Sequence, residues 1–481
     1  MPGLTTGAVL PATGTARRFL SHGSRHTHLL AALAVFAYLT TIRTRHISET
    51  FWLLGDQILY WKMAIGSWHE LPLGGGPSSV GGTTLGPAFL WAIWAIRHLV
   101  GPFTDNLPHA GGIGLSIMQS AADAFLLVAM WKRFASFALA LAVTLLVASA
   151  PVDMAISATI WNPPLAVAFV KMSIACVLLG VRFASKWWYA GATATALLAL
   201  QCHSSAVFFA VPVIASFPAR EMQARRYRRA LAYACTAAAV IFVLETPFLL
   251  DLATHPGKQT SPAKVVGSVS YTLTHPELFR PVAALRALEA QIAIILLLPW
   301  TFPWFGALLA VCAALTAFRT RRDVTLASVT VIPLACAVVG FSMWQGDFDS
   351  YWFLVLAPSA ALTIALGLTA WRPAARLVAV ALALLIIAAQ PFRIASAMTM
   401  LRLPEYGPLV RGSREIRRRV AEVRSIETAF VLPPSSDRYF IYQVLGGRVT
   451  PSASYTATID ATGHVTFATV AADQPETGRA E

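Results

Sequence analysis

Asp56 is the residue of this sequence best placed for acid–base chemistry. It stands in a segment where Phe51, Leu54, Ile58, Trp61, Ile65 and Trp68 recur at alternating spacings of three and four, the period of a helix with one apolar, aromatic face. Asp56 follows Leu54 by two positions and so points away from that face, as Lys62 does. A helix of this kind is expected to lie along a membrane interface. Its carboxylate would then sit just above the bilayer, where it can take a proton from an acceptor hydroxyl or amine. It can equally be a solvated charge that keeps the helix amphipathic.

Other side chains could support such a group. Lys258, Arg280, His255 and His275 share residues 251–290 and can close over a phosphate, or serve as ordinary headgroup contacts. Arg43, Arg45 and Lys62 are the alternative cations for that task. His203, in Gln201-Cys202-His203-Ser204, stands at the end of an apolar run, where it can also simply bond a backbone carbonyl. Asp123 falls inside the run 113–131, where an unpaired carboxylate is costly, so it is either functional or a hydrogen-bond anchor between helices.

These residues need elements to hold them, and composition says which kind. With 56% of its 481 residues hydrophobic, 12% charged and a mean hydropathy of +0.61, the chain is too apolar for water, and the bilayer is its solvent. Runs long enough to cross about 30 Å of hydrocarbon recur near 113–131, 134–150, 164–182, 187–201, 204–218, 229–250, 291–317, 324–343, 351–370 and 375–390. With an uncleaved first run at 29–41 they make about eleven spans. The net charge of +14 does not imply nucleic acid, because the basic residues sit in short loops rather than one stripe. Lys132-Arg133, Arg182 with Lys186, and the clusters at 220–229 and 319–322 read as cytoplasmic loops.

The run 85–96 is too short to cross, and a crossing there would turn every later basic cluster outward. Residues 43–112 therefore read as one external loop with two helices, following a cytoplasmic tail at 1–27. Residues 251–290 form another external loop within a membrane domain at 28–391. The tail, 392–481, reads as an external α/β domain: a charged helix at 413–423, a strand at 428–432, a helix at 437–445 and a hairpin at 455–470 around Thr462-Gly463. The five cysteines lie in or beside apolar runs and read as buried free thiols, with no zinc or disulfide spacing.

Gly55-Asp56-Gln57, Tyr60, Leu71-Pro72, a glycine-rich stretch and Gly86-Pro87-Ala88-Phe89-Leu90-Trp91 together resemble the first external loop of the GT-C superfamily, in its protein-mannosyltransferase and aminoarabinose-transferase-like branch. Ala150-Pro151, Ile160-Trp161-Asn162-Pro163 and the segment 351–358 extend the resemblance over most of 28–391. It implies an all-α polytopic fold and places Asp56 at the family's catalytic carboxylate. Many members carry a second acidic residue where this chain has Asn162, which leaves Asp153 as the nearest carboxylate; some have Lys-Pro-Pro where it has Leu85-Gly86-Pro87. Asp153, Asn162, His203 and Tyr351 are the expected site lining. No metal ligand set is read, and a divalent metal is left open. Asp347 and Asp349 can position a sugar or a metal, or mark a solvated turn.

The implied activity is transfer of a sugar from a polyprenyl-phosphate donor to an unidentified acceptor on the non-cytoplasmic face of a bacterial inner membrane, the C-terminus being external. An activated anomeric carbon needs a base for the acceptor and a cation for the departing phosphate, the roles expected of Asp56 and of Arg280 or Lys258. Inversion follows from a single in-line displacement. The alternative is a transporter or flippase of a lipid-linked intermediate, whose usual internal repeats and paired broken helices are not evident here.

Overall fold

A computed structural model describes residues 14–470 apart from 46, 48–50, 52–54, 78–81, 84–85, 104–106, 258–259, 299, 301, 347, 371–372, 401–404 and 433–435. The first helix, α1 (Gly14–Thr44), is followed by two short ones, α2 (Gly55–Ile65) and α3 (Ala88–Val100), and then by α4 (Pro108–Phe134) and α5 (Phe137–Ala148). Next come α6 (Pro151–Ser157), α7 (Asn162–Phe183), α8 (Lys186–Cys202), α9 (Val207–Gln223) and α10 (Tyr227–Thr254). The membrane part is completed by α11 (Ser261–Thr274), α12 (Pro281–Leu297), α13 (Phe305–Thr320), α14 (Val324–Ala327), α15 (Val331–Ser342), α16 (Ala357–Leu368) and α17 (Ala375–Met400). Among the described residues seven helical stretches are long and apolar enough to cross a bilayer, or eight if α5 and α6, bent by 61°, count as one broken span. This is an integral membrane protein. An apolar helix on all sides belongs in the interior: the apolar window of α7 is 89% buried, whereas those of α1 and α10 are 11% buried and lie at the edge.

Contacts fix which helix ends lie together. Arg133, in the last turn of α4, pairs with Asp323 at 3.2 Å, and Arg319 near the end of α13 donates to Leu366 O at 3.1 Å. These groups mark one end of the bundle. The opposite end corrects the expected span at 291–317. The backbone N–H of Arg280 donates to Ser342 O at the end of α15, and Leu296 O accepts from Arg393, which also binds Leu146 O and Ser149 O at the end of α5. Both ends of α12 are thus at that second end, and α12 crosses the bundle there; α13 alone returns toward Asp323. Hydropathy could not separate them, because α12 is as apolar as a span. The expected span 324–343 is likewise divided, into α14 and α15.

The two expected helices of the first loop are present as α2 and α3. The aromatic stripe of α2 is laid on protein more than on lipid: Ile58 and Trp61 are buried, Tyr60 meets Phe89 of α3 edge-on at 4.9 Å, and a Cβ at Gly111 of α4 would stand 2.9 Å from the Trp61 ring. Ile65, the last residue of the helix, is exposed, and Trp68, beyond its end, leaves that register and is exposed too; Leu54 is outside the described residues.

Beneath the second end lies a buried charge cluster. Arg43 of α1 reaches Asp123 of α4 at 2.8 Å and Asp153 of α6 at 2.7 Å, while Lys171 of α7 reaches Asp123 at 2.8 Å and Asp153 at 3.5 Å. Ser120 and Gln119 add hydrogen bonds at 3.0 Å each. Asp123 is therefore an interhelical anchor. Arg43 is buried here with both terminal nitrogens paired, which removes it from the cations available to a phosphate.

The C-terminal domain is α/β, as expected. After α18 (Tyr406–Arg419), β1 (Glu422–Val423) and β2 (Ser425–Thr428), α19 (Phe440–Val444) leads to β3 (Arg448–Val449) and the hairpin of β4 (Tyr455–Ile459) and β5 (Val465–Thr469). The three-stranded sheet has the order β2-β4-β5, with β2 parallel and β5 antiparallel to β4. Gly463 takes φ +85° in the hairpin turn, as its Thr-Gly signal predicts. The strand expected at 428–432 lies earlier, at Ser425–Thr428. This domain rests on the first loop: Lys62 stands 3.7 Å from Asp437 and 5.4 Å over the Phe440 ring, and Tyr406 meets Phe51 at 5.0 Å and His109 at 3.3 Å. All five cysteines are free; Cys176, Cys202 and Cys312 are buried, but Cys235 is exposed and Cys336 partly so.

Candidate active site

A cavity of about 340 Å³ opens at the end of the bundle crossed by α12, and four of the residues expected to line a site meet in it: Asp56, Asn162, His203 and Tyr351. They come from α2, the start of α7, the turn after α8 and the turn before α16, elements scattered through the sequence. Asp56 sits in the first turn of α2, where the helix dipole favours an anion, and its side chain is exposed. Tyr60, one turn on, shares the wall. Burial first, then the neighbouring Asp56 carboxylate and Tyr351, push the Tyr60 phenol up, so it stays protonated. The glycine-rich stretch has a local reason: a Cβ at Gly76 would stand 2.6 Å from the Tyr60 ring. Only a bare backbone can lie there, and it brings Pro77 to the cavity.

Asn162 donates through Nδ2 to Cys202 O at 2.7 Å, tying the start of α7 to the end of α8. His203 is buried next to Tyr351, ring centroids 5.8 Å apart and edge-on, and burial pushes its imidazole down to about 4. It is neutral at pH 7. Tyr351 donates to Asp349 at 3.2 Å and packs on Trp161 at 5.0 Å. Trp344 and Trp352 add two more aromatic walls.

Helix α11 closes one side. Ser268 and Thr272 donate to Met343 O at 3.1 and 2.9 Å, and Gln345 donates to the Thr272 hydroxyl at 2.9 Å, which brings Val265 against the cavity. A parallel bridge between Thr83 and Thr260 joins this region to the first loop.

Arg280 is not in the cavity but beside it: its exposed guanidinium donates to the carbonyl of Trp344, a lining residue, at 2.8 Å. Lys258 lies outside the described residues, as does Asp347. Asp153 is corrected. It is 3% exposed and held in the charge cluster by Arg43 and Lys171, so it is no part of the cavity lining. His255 is occupied by Asp251 at 3.2 Å and His275 stacks on Tyr271 at 4.3 Å; neither lines the cavity. Among the described residues no three His, Cys, Asp or Glu side chains gather where a metal could be held. Sequence reading missed Ser205, Trp344 and Trp352, whose only signal was their nearness to His203 and Tyr351. It also missed Lys264, an exposed cation beside Val265 on α11.

This combination of a bent helical bundle, a two-helix first loop with an acidic residue near its start and a cavity at one end of the bundle is the GT-C fold. Two solved structures, both of one protein, share it. The chain is similar to ArnT from Cupriavidus metallidurans in the apo state, with 11% sequence identity and a TM-score of 0.54 over 88% of this chain and 85% of that one. The same protein bound to undecaprenyl phosphate gives 14% identity and a TM-score of 0.51 over the same shares. The archaeal oligosaccharyltransferase AglB from Archaeoglobus fulgidus, in complex with an inhibitory peptide and a dolichol-phosphate, gives 12% identity and a TM-score of 0.47 over 86% of this chain and 63% of that one. No protein-family model and no curated protein sequence matches the chain.

Proposed function

We propose that the protein is a membrane glycosyltransferase that moves a sugar from a polyprenyl-phosphate donor to an acceptor on the non-cytoplasmic face, with Asp56 as its base or acceptor-orienting carboxylate. The observation that carries this reading is the convergence of Asp56, Asn162, His203 and Tyr351 in one cavity, within a chain that shares the fold of a protein solved with undecaprenyl phosphate. In the proposed step the acceptor oxygen or nitrogen bonds to the anomeric carbon as the bond from that carbon to the phosphate oxygen breaks. The acceptor proton goes to Asp56, and the phosphate leaves as an anion with inversion at carbon. The test is transfer by the purified protein from undecaprenyl-phosphate sugars, with the sugar chosen from the lipid-linked species that accumulate in a deletion strain. Translocation of such a lipid across vesicles without any transfer would favour a flippase instead.

Among the described residues Asp56 is the only charged one that lines the cavity, so the departing phosphate needs a cation beside it. Arg280 supports this role best, being exposed and fixed to Trp344. A guanidinium matches phosphate oxygens with two parallel donors where an ammonium offers a point charge. Arg280→Ala is expected to weaken donor binding and turnover by roughly 10- to 100-fold, the range for charge-assisted hydrogen bonds, and Arg280→Lys by less. Unchanged affinity for undecaprenyl phosphate in Arg280→Ala would move the phosphate to Lys264.

The distribution of basic residues supports an orientation with the cavity and the C-terminal domain on the outside of a bacterial inner membrane. In a protein with Cys235 replaced by serine, cysteines placed at the exposed positions Phe103 and Val431 are expected to react in intact cells with a membrane-impermeant thiol reagent. A cysteine at Arg321 should react only after lysis. The reverse pattern would put the cavity in the cytoplasm and defeat the reading.

A further inference from the structure

Several polar groups around the cavity present acceptors. Asp56 is a carboxylate, Asn162 commits one of its two amide hydrogens to Cys202 O and keeps a carbonyl oxygen, and Tyr351 gives its hydroxyl proton to Asp349. His203 is settled by two bonds in series. Ser205 Oγ lies 2.7 Å from Trp352 O and 2.7 Å from His203 Nδ1. A carbonyl has no proton to give, so the one hydroxyl proton of Ser205 goes to Trp352 O. The contact with His203 then requires the proton to be on Nδ1. A neutral imidazole carries a single N–H, and burial keeps this ring neutral at pH 7. Nε2 is left with a lone pair and, among the described residues, no partner.

We propose that His203 is a specificity-determining residue whose Nε2 accepts a hydrogen bond from a hydroxyl of the group seated in the cavity, with Ser205 locking the tautomer. The cavity then offers acceptors at Asp56, Asn162 Oδ1 and His203 Nε2, between aromatic faces at Trp161, Tyr351 and Trp344. That surface suits a polyhydroxylated ring, whose O–H groups donate and whose C–H faces stack. A phosphate there would face the like charge of the Asp56 carboxylate, which assigns the two halves of a glycosyl phosphate to different places: sugar inside, phosphate at the rim beside Arg280. The assignment rests on the transferase reading above for the identity of the ligand, whereas the tautomer rests on geometry alone.

The experiment has two arms, both on the full-length protein in lipid nanodiscs. In the first, ring-¹⁵N histidine labelling, with the His203 signals assigned by their loss in His203→Gln, is expected to show a protonated Nδ1 and a bare Nε2 at pH 7, a state that Ser205→Ala disturbs. A protonated Nε2 overturns the inference. In the second, binding of undecaprenyl phosphate is compared with that of undecaprenyl phosphate carrying a hexose or a pentose. The wild type is expected to prefer a glycosylated carrier by roughly 3- to 10-fold, the worth of one net hydrogen bond. His203→Asn, which keeps a group near Nδ1 but nothing at Nε2, should lose that preference without losing the bare carrier, and His203→Gln, whose amide oxygen reaches the Nε2 position, should recover part of it. Equal binding of bare and glycosylated carriers by the wild type, or an undiminished preference in His203→Asn, overturns the inference and leaves the transferase reading standing. Failure of the wild type to bind any carrier overturns both.

Discussion

Replacing Asp56 by asparagine is expected to lower sugar transfer by about 10²–10⁴-fold, the usual contribution of a positioned general base, with the protein still folded. Asparagine keeps the shape and the hydrogen-bonding capacity at the start of α2 and removes only the charge and the basic lone pair. The side chain is exposed and makes no buried ion pair, so the loss of charge leaves no group stranded in the interior. The neighbouring Tyr60 phenol stays protonated and cannot replace the base. The decisive measurement is single-turnover transfer with saturating donor, beside thermal unfolding of the same preparation. Turnover within a few-fold of the wild type, in a variant that melts normally, would return Asp56 to a solvated surface charge.

The buried charge cluster gives the second large effect, on stability rather than chemistry. Lys171→Met removes one of the two ion-paired cations from a site where Lys171, Arg43 and Asp123 have no exposed side-chain surface, leaving Arg43 as the one ion-pair partner of Asp123 and Asp153 among the described residues. Breaking a buried pair from one side typically costs about 3–5 kcal/mol, because the surviving charge keeps its desolvation penalty without its partner. The double change Lys171→Met with Asp123→Leu takes out one charge of each sign and should cost less than the single change, even though it removes more contacts. Unfolding in detergent checks both, since a single variant as stable as the wild type, or a double variant worse than it, would show that charge balance is not what holds α1, α4, α6 and α7 together.

Much of the candidate site was legible in the sequence because it depends on local pattern. The stripe around Asp56 specified α2, the short run at 85–96 specified a helix that does not cross, and Asn162, His203 and Tyr351 could be read as loop residues at the ends of apolar runs. Residues whose roles are set by distant partners were not legible. Asp153 looked like a loop carboxylate because nothing near it in sequence reveals Arg43, 110 positions away. The crossing direction of α12 was hidden for a similar reason, as apolarity records the solvent of a helix and not its tilt. Ser205 and Trp352 matter through a backbone carbonyl and a hydroxyl proton, neither of which leaves a mark on hydropathy.

The docking of the C-terminal domain on the first loop also sets a timetable. His109 and Tyr406, which hold the two parts together, are separated by 297 residues, and a ribosome needs about 15–60 s to cover that distance at roughly 5–20 residues per second. During that interval α2 and Asp56 already exist, but the surface that braces Lys62 through Asp437 and Phe440 does not. A chain interrupted before residue 406 would insert its helices and still lack the support of its first loop, so the cavity wall is among the last parts of the newborn protein to be secured.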